Sequence, residues 1–297
     1  MKLRFLPLLL LGATACNSPG TASTAFLNPA HEQDQVSTPA SAASPGPVST
    51  PAAVPVVNVK PAPVSPPVKA TRAIGIVWNG DGACTDGCIQ GGVTAVNDVG
   101  LTLRYVNQNT PATTPAQIAE IFADAKVWVM PGGHSLQEVQ AMTPALRNGL
   151  RQFVANGGGY VGWCAGAFSA TDEVGTTGEP GLGLMPGSSK VFISSNKRNA
   201  YGASIEKLSW ISGAHDFYLE GGPYLYNLAS SVEVIARYPD QVSIAAARTA
   251  YGNGRVYISG VHPEAPIWWW SGTAINDPDG SDAGYAADML RWAARLE

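Results

Sequence analysis

Short apolar runs alternate with polar, helix-like stretches over residues 73–163. Runs of this length, bounded by turn residues such as Asn79-Gly80, are typical of buried strands that end in loops. Four strands are predicted in this part of the chain, at residues 73–78, 101–106, 126–130 and 160–163. Because helical segments separate them, the pattern predicts parallel β-α-β units, with a site built by the loops at the carboxyl ends of the strands.

Local signals place helices between these strands. Thr114 is a favoured N-cap residue and Pro115 suits the first helical position, so a helix is predicted to begin there. Leu146, Leu150 and Phe153 recur at helical spacing before a run of glycines, which predicts a second helix that ends at the glycines.

The second half of the chain is richer in strands, predicted at residues 190–194, 232–238, 242–247 and 255–259. The segment Tyr251-Gly252-Asn253-Gly254 has the composition of a hairpin turn. An amphipathic helix near residues 286–296 closes the chain. The pattern as a whole predicts an α/β fold, a mostly parallel sheet flanked by helices, with added antiparallel strands in the second half.

Residues 1–16 have the order of an export signal. Lys2 and Arg4 precede an apolar run that is too short to span a bilayer, and small residues precede Cys16. This order resembles a bacterial lipobox, in which the cysteine is lipidated, with alanine where leucine is usual. An ordinary cleavage site with simple secretion is the alternative. We expect an extracytoplasmic protein, anchored to a membrane of the cell envelope by a lipid on Cys16.

Residues 17–71 consist largely of proline, alanine, serine, threonine and valine. Such a segment cannot bury enough apolar surface to offset the entropy of ordering it, which predicts a disordered tether. The composition changes at Arg72, and residues 72–297 are predicted to form one folded domain. The net charge of −4 argues against a nucleic-acid partner, which would need a basic face.

Cys164 lies between two glycines in the segment Gly162-Trp163-Cys164-Ala165-Gly166, where a predicted strand runs into a helix. Glycine on either side permits a tight strand-to-helix turn that presents the thiol. The thiol then lies at a helix N-terminus, whose dipole favours the thiolate. The motif indicates a nucleophile, and a buried structural cysteine is the alternative.

His262 and Glu264 follow the strand predicted at residues 255–259. A cysteine nucleophile needs a base, and the base benefits from a carboxylate that fixes its tautomer and stabilises its charged form. Two residues apart on an extended segment, both side chains face the same side. The pattern indicates a base with its orienting carboxylate.

A glycine turn, Pro131-Gly132-Gly133, lies at the end of the third predicted strand. Backbone without side chains can approach a reacting carbonyl and point N–H groups at the developing oxyanion. Gly132 and Gly133 are therefore candidates for an oxyanion hole, with the amide of Ala165 as the second donor.

These three motifs, in this order, resemble the class I glutamine amidotransferase-like superfamily. A closer resemblance is to the N-terminal domain of fungal biotin–protein ligases, which also occurs as stand-alone bacterial proteins, and it covers roughly residues 72–297. The motifs that carry it are Trp78-Asn79-Gly80, Met130-Pro131-Gly132-Gly133, Gly162-Trp163-Cys164-Ala165-Gly166-Ala167, Glu220-Gly221-Gly222-Pro223-Tyr224 and Gly260-Val261-His262-Pro263-Glu264. The resemblance implies a flavodoxin-like sheet with Cys164 as nucleophile, His262 as general base and acid, and Glu264 as the orienting group.

The resemblance implies no biotin ligase, since nothing in the sequence resembles a biotin- or ATP-binding catalytic domain. We expect a cysteine-dependent hydrolase or amidase that acts on a small amide or peptide-like substrate without a cofactor. A true amidotransferase is less favoured because export separates it from cytosolic ATP and from a synthetase partner. A non-catalytic ligand-binding or scaffold domain at the cell envelope is the alternative, and fold and motif do not separate the two. The sequence does not specify the oligomeric state.

Several residues of the motif loops are expected to contact substrate: Asn79, Gly80, His134, Glu220, Gly221 and Gly222. For His134, a solvated position at the rim of the pocket is the alternative. Glu220 stands where the family often has asparagine, which changes the charge of any pocket that it lines. The three tryptophans at residues 268–270 either stack against a ring of the ligand or pack the core.

Cys84 and Cys88 are expected to form a local disulfide in an exported protein. A zinc pair would need two further ligands, and no cluster in the sequence supplies them, so no metal site is predicted. A redox-active cysteine pair is a further alternative. His215 and Asp216 are expected to form hydrogen bonds in the interior.

Overall fold

The computed structural model of the chain describes residues 73–196, 202–270 and 277–296. The predicted export signal, Cys16 and the tether lie outside the described residues. The strands are β1 (Ile74–Trp78), β2 (Thr102–Val106), β3 (Ala125–Met130), β4 (Gly159–Trp163), β5 (Ser188–Val191), β6 (Ser204–Trp210), β7 (Gly213–Leu219), β8 (Pro223–Tyr226), β9 (Glu233–Arg237), β10 (Ile244–Tyr251) and β11 (Gly254–Ser259). The α-helices are α1 (Cys88–Asp98), α2 (Pro115–Phe122), α3 (Ser135–Ala141), α4 (Pro144–Ala155), α5 (Ala165–Ala170) and α6 (Ala283–Ala294).

The described strands form one sheet whose main path runs β2-β1-β3-β4-β11-β10-β9-β6-β7, with β8 and β5 joined at β10. The pairs from β2 through to β11 are parallel, and those from β11 onward are antiparallel. The prediction of a mostly parallel α/β sheet with antiparallel additions in the second half is confirmed.

Helices cover both faces of the parallel strands, and the alternation of side chains along each strand builds two cores. On β3, Val127 and Val129 point to the face covered by α1 and α6, while Trp128 and Met130 point to the face covered by α4. All four side chains are fully buried. This double burial explains why the strands read as continuous apolar runs.

Two predicted local signals appear as expected. The Thr114 hydroxyl accepts from the Gln117 amide, and the Gln117 side chain accepts in return from the Thr114 amide, so α2 begins with a capping box. The β10–β11 hairpin turns over Gly252 and Asn253, with Tyr251 opposite Gly254. Within the described residues, no helix combines the length and the apolar character needed to cross a membrane.

The hairpin of β6 and β7 was not predicted, and neither was β8. In β6 alternate side chains are buried, but one of them is the charged Glu206, which hides the apolar alternation. The Glu206 carboxylate accepts from the hydroxyls of Ser194 and Ser204. The prediction of a strand at residues 190–194 was displaced, because β5 runs from Ser188 to Val191 to pair with β8.

Candidate active site

The ends of three adjacent parallel strands meet in a single cleft. The strands β3, β4 and β11 are neighbours in the sheet, so their carboxyl ends lie side by side. The loops that follow them carry Gly132 and Gly133, Cys164, and His262 respectively. Sheet topology alone therefore brings together three motifs that are widely separated in sequence.

Cys164 is held in an unusual backbone conformation between β4 and α5, with φ 49° and ψ −107°. A positive φ is sparsely populated for a residue with a side chain and marks local strain. The flanking glycines permit it: a Cβ on Gly162 would lie 2.4 Å from the Gly166 carbonyl oxygen, and one on Gly166 would lie 2.2 Å from that of Met130. The thiol is thus aimed from the first turn of α5, and its Sγ contacts the Glu220 carbonyl oxygen at 3.4 Å.

His262 and Glu264 form a buried pair beside Cys164. The distance from His262 Nδ1 to Glu264 Oε1 is 2.8 Å, and the two side chains are 4% and 0% exposed. Among the described residues, the second carboxylate oxygen of Glu264 has no hydrogen-bond partner. The carboxylate therefore acts on the histidine through one oxygen and fixes the orientation of the ring.

Burial lowers the pKa of His262, but the charges of Cys164 and Glu264 and the hydrogen bond to Glu264 raise it and outweigh the effect of burial. The net result is a pKa well above the usual value for histidine. A negative charge on either neighbouring side chain favours the protonated form of the imidazole.

The glycine loop after β3 fits closely beneath the histidine. A Cβ on Gly132 would lie 2.6 Å from His262 Cε1, and one on Gly133, whose φ is +146°, would lie 2.0 Å from the Gly82 carbonyl oxygen. Only glycine fits at these positions. Within the described part of the chain, the amides of Gly133 and Ala165 have no hydrogen-bond acceptor, and unpaired amides of this kind are available to an oxyanion.

Cys84 and Cys88 are joined by a disulfide in the loop between β1 and α1. The Cys84 amide donates to the Gly132 carbonyl at 2.9 Å, and the His134 amide donates to the Gly82 carbonyl at 2.7 Å. The disulfide loop and the glycine loop therefore brace each other. Cys164 is the free cysteine of the described residues.

The cleft at Cys164 has two lobes. The larger, about 620 Å³, is lined on one side by Tyr218, Trp268 and Trp269. The smaller, about 420 Å³, extends over α3 and past Phe168. Both lobes include Cys164, so this residue lies where the two lobes meet rather than at the end of a closed pocket.

The structure brings some of the predicted contact residues to the cleft. His134 and Glu220 line both lobes, and Gly221 lines the smaller one. Gly222 instead packs against Gly260, where a Cβ would collide with the carbonyl oxygen at 1.7 Å.

Asn79 and Gly80 do not line the cleft. The Asn79 side chain accepts from Asn107 at 3.2 Å, and Gly80 packs on Trp78. Their role in substrate binding stays a prediction.

The aromatic residues that line the larger lobe, Tyr218, Trp268 and Trp269, were only partly predicted. Trp268 and Trp269 line the cleft, whereas Trp270 is buried. The Trp269 ring meets the His262 ring edge-on at 5.3 Å between centroids, and its indole N–H donates to the Asp86 carbonyl at 2.7 Å. Tyr218 was missed, because it belongs to the unpredicted strand β7.

Glu138 was also missed. It lies on α3, fully buried, with one oxygen accepting from Ser169 Oγ at 3.0 Å and the other without a partner among the described residues. Burial raises its pKa to about 8, against a smaller lowering by the Ser169 hydrogen bond. The carboxyl is therefore mostly protonated at neutral pH. No sequence pattern distinguishes Glu138 from an exposed glutamate on an amphipathic helix.

The comparison with protein families agrees with this geometry. The model of the family described as "Biotin-protein ligase, N terminal" matches residues 76–286, which contain ten of the eleven described strands and five of the six described α-helices in full. The chain belongs to this family.

Two curated relatives show how far the likeness of this biotin–protein ligase N-terminal family member extends. The biotin–protein ligase of Schizosaccharomyces pombe is 26% identical over 183 residues, which are 54% of this chain and 28% of the ligase. The chain thus spans less than a third of that ligase. The pyridoxal 5'-phosphate synthase subunit PdxT of Deinococcus radiodurans is 30% identical over 144 residues, 46% of this chain and 69% of PdxT.

Among solved structures, a crystal structure of a glutamine amidotransferase matches with a TM-score of 0.52 and 20% sequence identity. The match covers 73% of this chain and 98% of the other. At this identity the likeness establishes the fold alone. It leaves the chemistry to be argued from the residues of the site.

Proposed function

We propose that this protein is a cysteine-dependent hydrolase or amidase that cleaves a small amide or peptide-like substrate. The observation that carries the proposal is the buried His262–Glu264 pair beside a cysteine held in a strained turn at a helix N-terminus. A structural cysteine needs neither the strain nor a histidine whose pKa is raised by the thiol itself.

The proposed reaction divides into two steps. In the first, the Cys164 thiolate attacks the amide carbonyl, and the amides of Gly133 and Ala165 hold the oxyanion. His262 then gives its proton to the departing amine nitrogen as the C–N bond breaks, leaving a thioester on Cys164. In the second step, His262 takes a proton from water, the hydroxide attacks the thioester, and the acid product leaves with return of the thiolate.

The shape of the cleft supports a substrate with groups on both sides of the scissile bond. An aromatic lobe lies on one side of Cys164 and a lobe over α3 lies on the other. A group stacked on Trp269 and a chain running past Phe168 would place the carbonyl between them. Glu220, which accepts from the Tyr218 hydroxyl at 2.9 Å, adds a carboxylate that favours a cationic or hydrogen-bond-donating group near the nucleophile.

We also propose that the protein acts outside the cytoplasm, tethered to a membrane by a lipid on Cys16. The support is the sequence of residues 1–71, with its basic start, short apolar run and proline-rich spacer. An intact Cys84–Cys88 disulfide agrees with an oxidising compartment. Metabolic labelling with a radioactive fatty acid that is lost in Cys16→Ala tests the anchor.

A hydrolysis screen tests the activity. The panel contains glutamine, N-acyl amino-acid amides and short peptides, and amine release is measured with the purified full chain. We expect at least one amide to be cleaved, with Cys164→Ser reducing the rate by about 10³-fold or more and leaving the melting temperature unchanged. Cleavage that persists in Cys164→Ser would contradict the proposal. A panel left intact, with no acyl adduct on Cys164 by mass spectrometry, would instead favour the non-catalytic binding domain.

A further inference from the structure

A second histidine with several carboxylates lies outside the cleft. His215 is on β7, and three aspartates, at positions 277, 279 and 282, come from the segment that leads into α6. His215 Nδ1 lies 2.8 Å from Asp279 Oδ2, and Nε2 lies 3.0 Å from Asp282 Oδ1. One ligand-type atom from each of these three residues lies within 4.8 Å of the others.

Asp282 is the residue that sets this cluster apart from an ordinary acidic patch. It occupies the N-cap position of α6, where an aspartate normally accepts from an amide of the first turn, yet it makes no such bond. Its side chain is 2% exposed, and neither oxygen has a hydrogen-bond partner among the described residues. The carboxylate is turned away from its helix and towards the His215 ring.

The charges around Asp282 do not balance. One Asp277 oxygen is likewise buried without a partner among the described residues. A neutral imidazole has a single N–H and satisfies only one of the two carboxylates that face it. Buried carboxylates left in this state are costly unless a cation joins them.

We propose that His215 and Asp282 bind one divalent transition-metal cation of the Zn²⁺ or Mn²⁺ type, with Asp279 as the partner that orients the histidine ring. A set of one imidazole nitrogen and carboxylate oxygens suits these ions, whereas Ca²⁺ and Mg²⁺ prefer oxygen alone. With Nε2 and Asp282 on the cation, the Nδ1–H donates to Asp279, the arrangement that commonly orients a metal-bound histidine.

The expected role of the cation is structural. The site ties β7 to the start of α6, and α6 packs its buried face against the same core as α1 and the parallel strands. A bound ion would thus hold the final helix onto the sheet by neutralising the acids at its N-terminus. This inference does not depend on the proposed hydrolase activity.

Metal titration of the full chain tests the site. Because Cys164 and His262 also offer zinc ligands, the titrations use the Cys164→Ser background. The chelator-treated protein is titrated with ZnCl₂, MnCl₂ and CaCl₂ by calorimetry, and its melting temperature is measured with each ion. The site variants are Asp282→Asn and His215→Gln. The matched controls are Asp288→Asn, an exposed acid on the same helix, and His134→Gln, an exposed histidine at the cleft.

We expect one Zn²⁺ or Mn²⁺ per chain and a rise in melting temperature of about 5 °C or more at saturation. Each site variant should weaken binding at least about tenfold, and the controls should not. Without metal, Asp282→Asn should melt at or above the parent, because it removes one acid from a buried cluster of acids. If that variant fails to fold, His215→Gln carries the test.

Three results would overturn the proposal. The first is that neither Zn²⁺ nor Mn²⁺ binds or raises the melting temperature. The second is binding that survives in the foldable site variants, or that falls equally in Asp288→Asn. The third is a preference for Ca²⁺ that His215→Gln leaves unchanged, which would mean an oxygen-only site without the imidazole.

Discussion

Two histidines of this chain are flanked by carboxylates, and what lies on the other side of each ring differs. His262 has Glu264 at 2.8 Å from Nδ1, and the same ring lies beside Cys164, whose charge raises the pKa of the ring. His215 has Asp279 at 2.8 Å from Nδ1 and Asp282 at 3.0 Å from Nε2. The first ring joins an acid to a thiol, while the second joins an acid to another acid.

This difference separates proton transfer from cation binding. A ring between a carboxylate and a thiol can take the thiol proton and pass it on, since the carboxylate stabilises the charged ring. A ring between two carboxylates has no such proton to take, and the site keeps an excess of negative charge that a cation can neutralise. The arrangement of neighbours, rather than the presence of a histidine, decides the chemistry.

Glu138 extends the comparison to a buried carboxyl group whose described hydrogen-bond partner is a serine rather than a histidine. Glu138 is fully buried, and burial raises its pKa to about 8. Since the unfolded chain loses this proton near the ordinary value of 4.5, the folded state holds more protons between the two values. The contribution of protonated Glu138 to the free energy of unfolding is complete below pH 4.5 and is lost as the pH rises towards 8.

The largest expected effect follows from Glu138→Gln. Between pH 5 and pH 8 the parent should lose roughly 3 kcal/mol of unfolding free energy at this residue, and the variant should not. Denaturant unfolding at both pH values measures the difference, with the exposed Glu120→Gln as the matched control. Equal pH dependence in the parent and in Glu138→Gln would show that the carboxyl is ionised throughout.

The next largest effect is on the reactivity of Cys164, which should depend on His262 and not on His215. In His262→Ala the rate of iodoacetamide alkylation at pH 6.5 should fall about 100-fold, because the protonated ring no longer stabilises the thiolate. His215→Ala should change the rate less than about twofold. The raised pKa of His262 also predicts a parent rate that varies little from pH 6 to pH 8. Equal slowing in both variants would indicate a general loss of structure.

The grouping of the cleft residues could largely be predicted from the sequence, since its signals are local. Gly162 and Gly166 mark the turn because each approaches backbone too closely for any Cβ, and a sequence records such needs directly. Parallel strands then bring their carboxyl ends together, so the proximity of Cys164 and His262 follows from topology.

The cluster of His215 and its aspartates could not be predicted from the sequence, because it depends on contacts between distant elements. His215 lies on β7, which was not predicted, and the aspartates that face it follow some 60 residues later. The spacing D-x-D-G-x-D at residues 277–282 offers acids but does not show that Asp282 turns away from its own helix. Similarly, the burial of Glu138 depends on packing between α3 and α5, which local periodicity does not specify.

The smallest expected effect concerns Trp269, which packs against the His262 ring. Trp269 meets that ring edge-on and donates its indole N–H to the Asp86 carbonyl in the disulfide loop. Trp269→Phe keeps an aromatic face but removes the donor, so it should cost about 1 kcal/mol and lower the melting temperature by roughly 2–4 °C. Trp268→Phe, at a 61% exposed position, is the matched control and should change the melting temperature less than Trp269→Phe does.

Metal affinity at His215 should be the same in both variants, because the ring contacts of Trp269 within the described residues are with Tyr218, His262 and Trp268 and do not include His215. A fall in metal affinity with Trp269→Phe would mean that the two histidine sites are coupled through the strand β7, which carries both His215 and Tyr218.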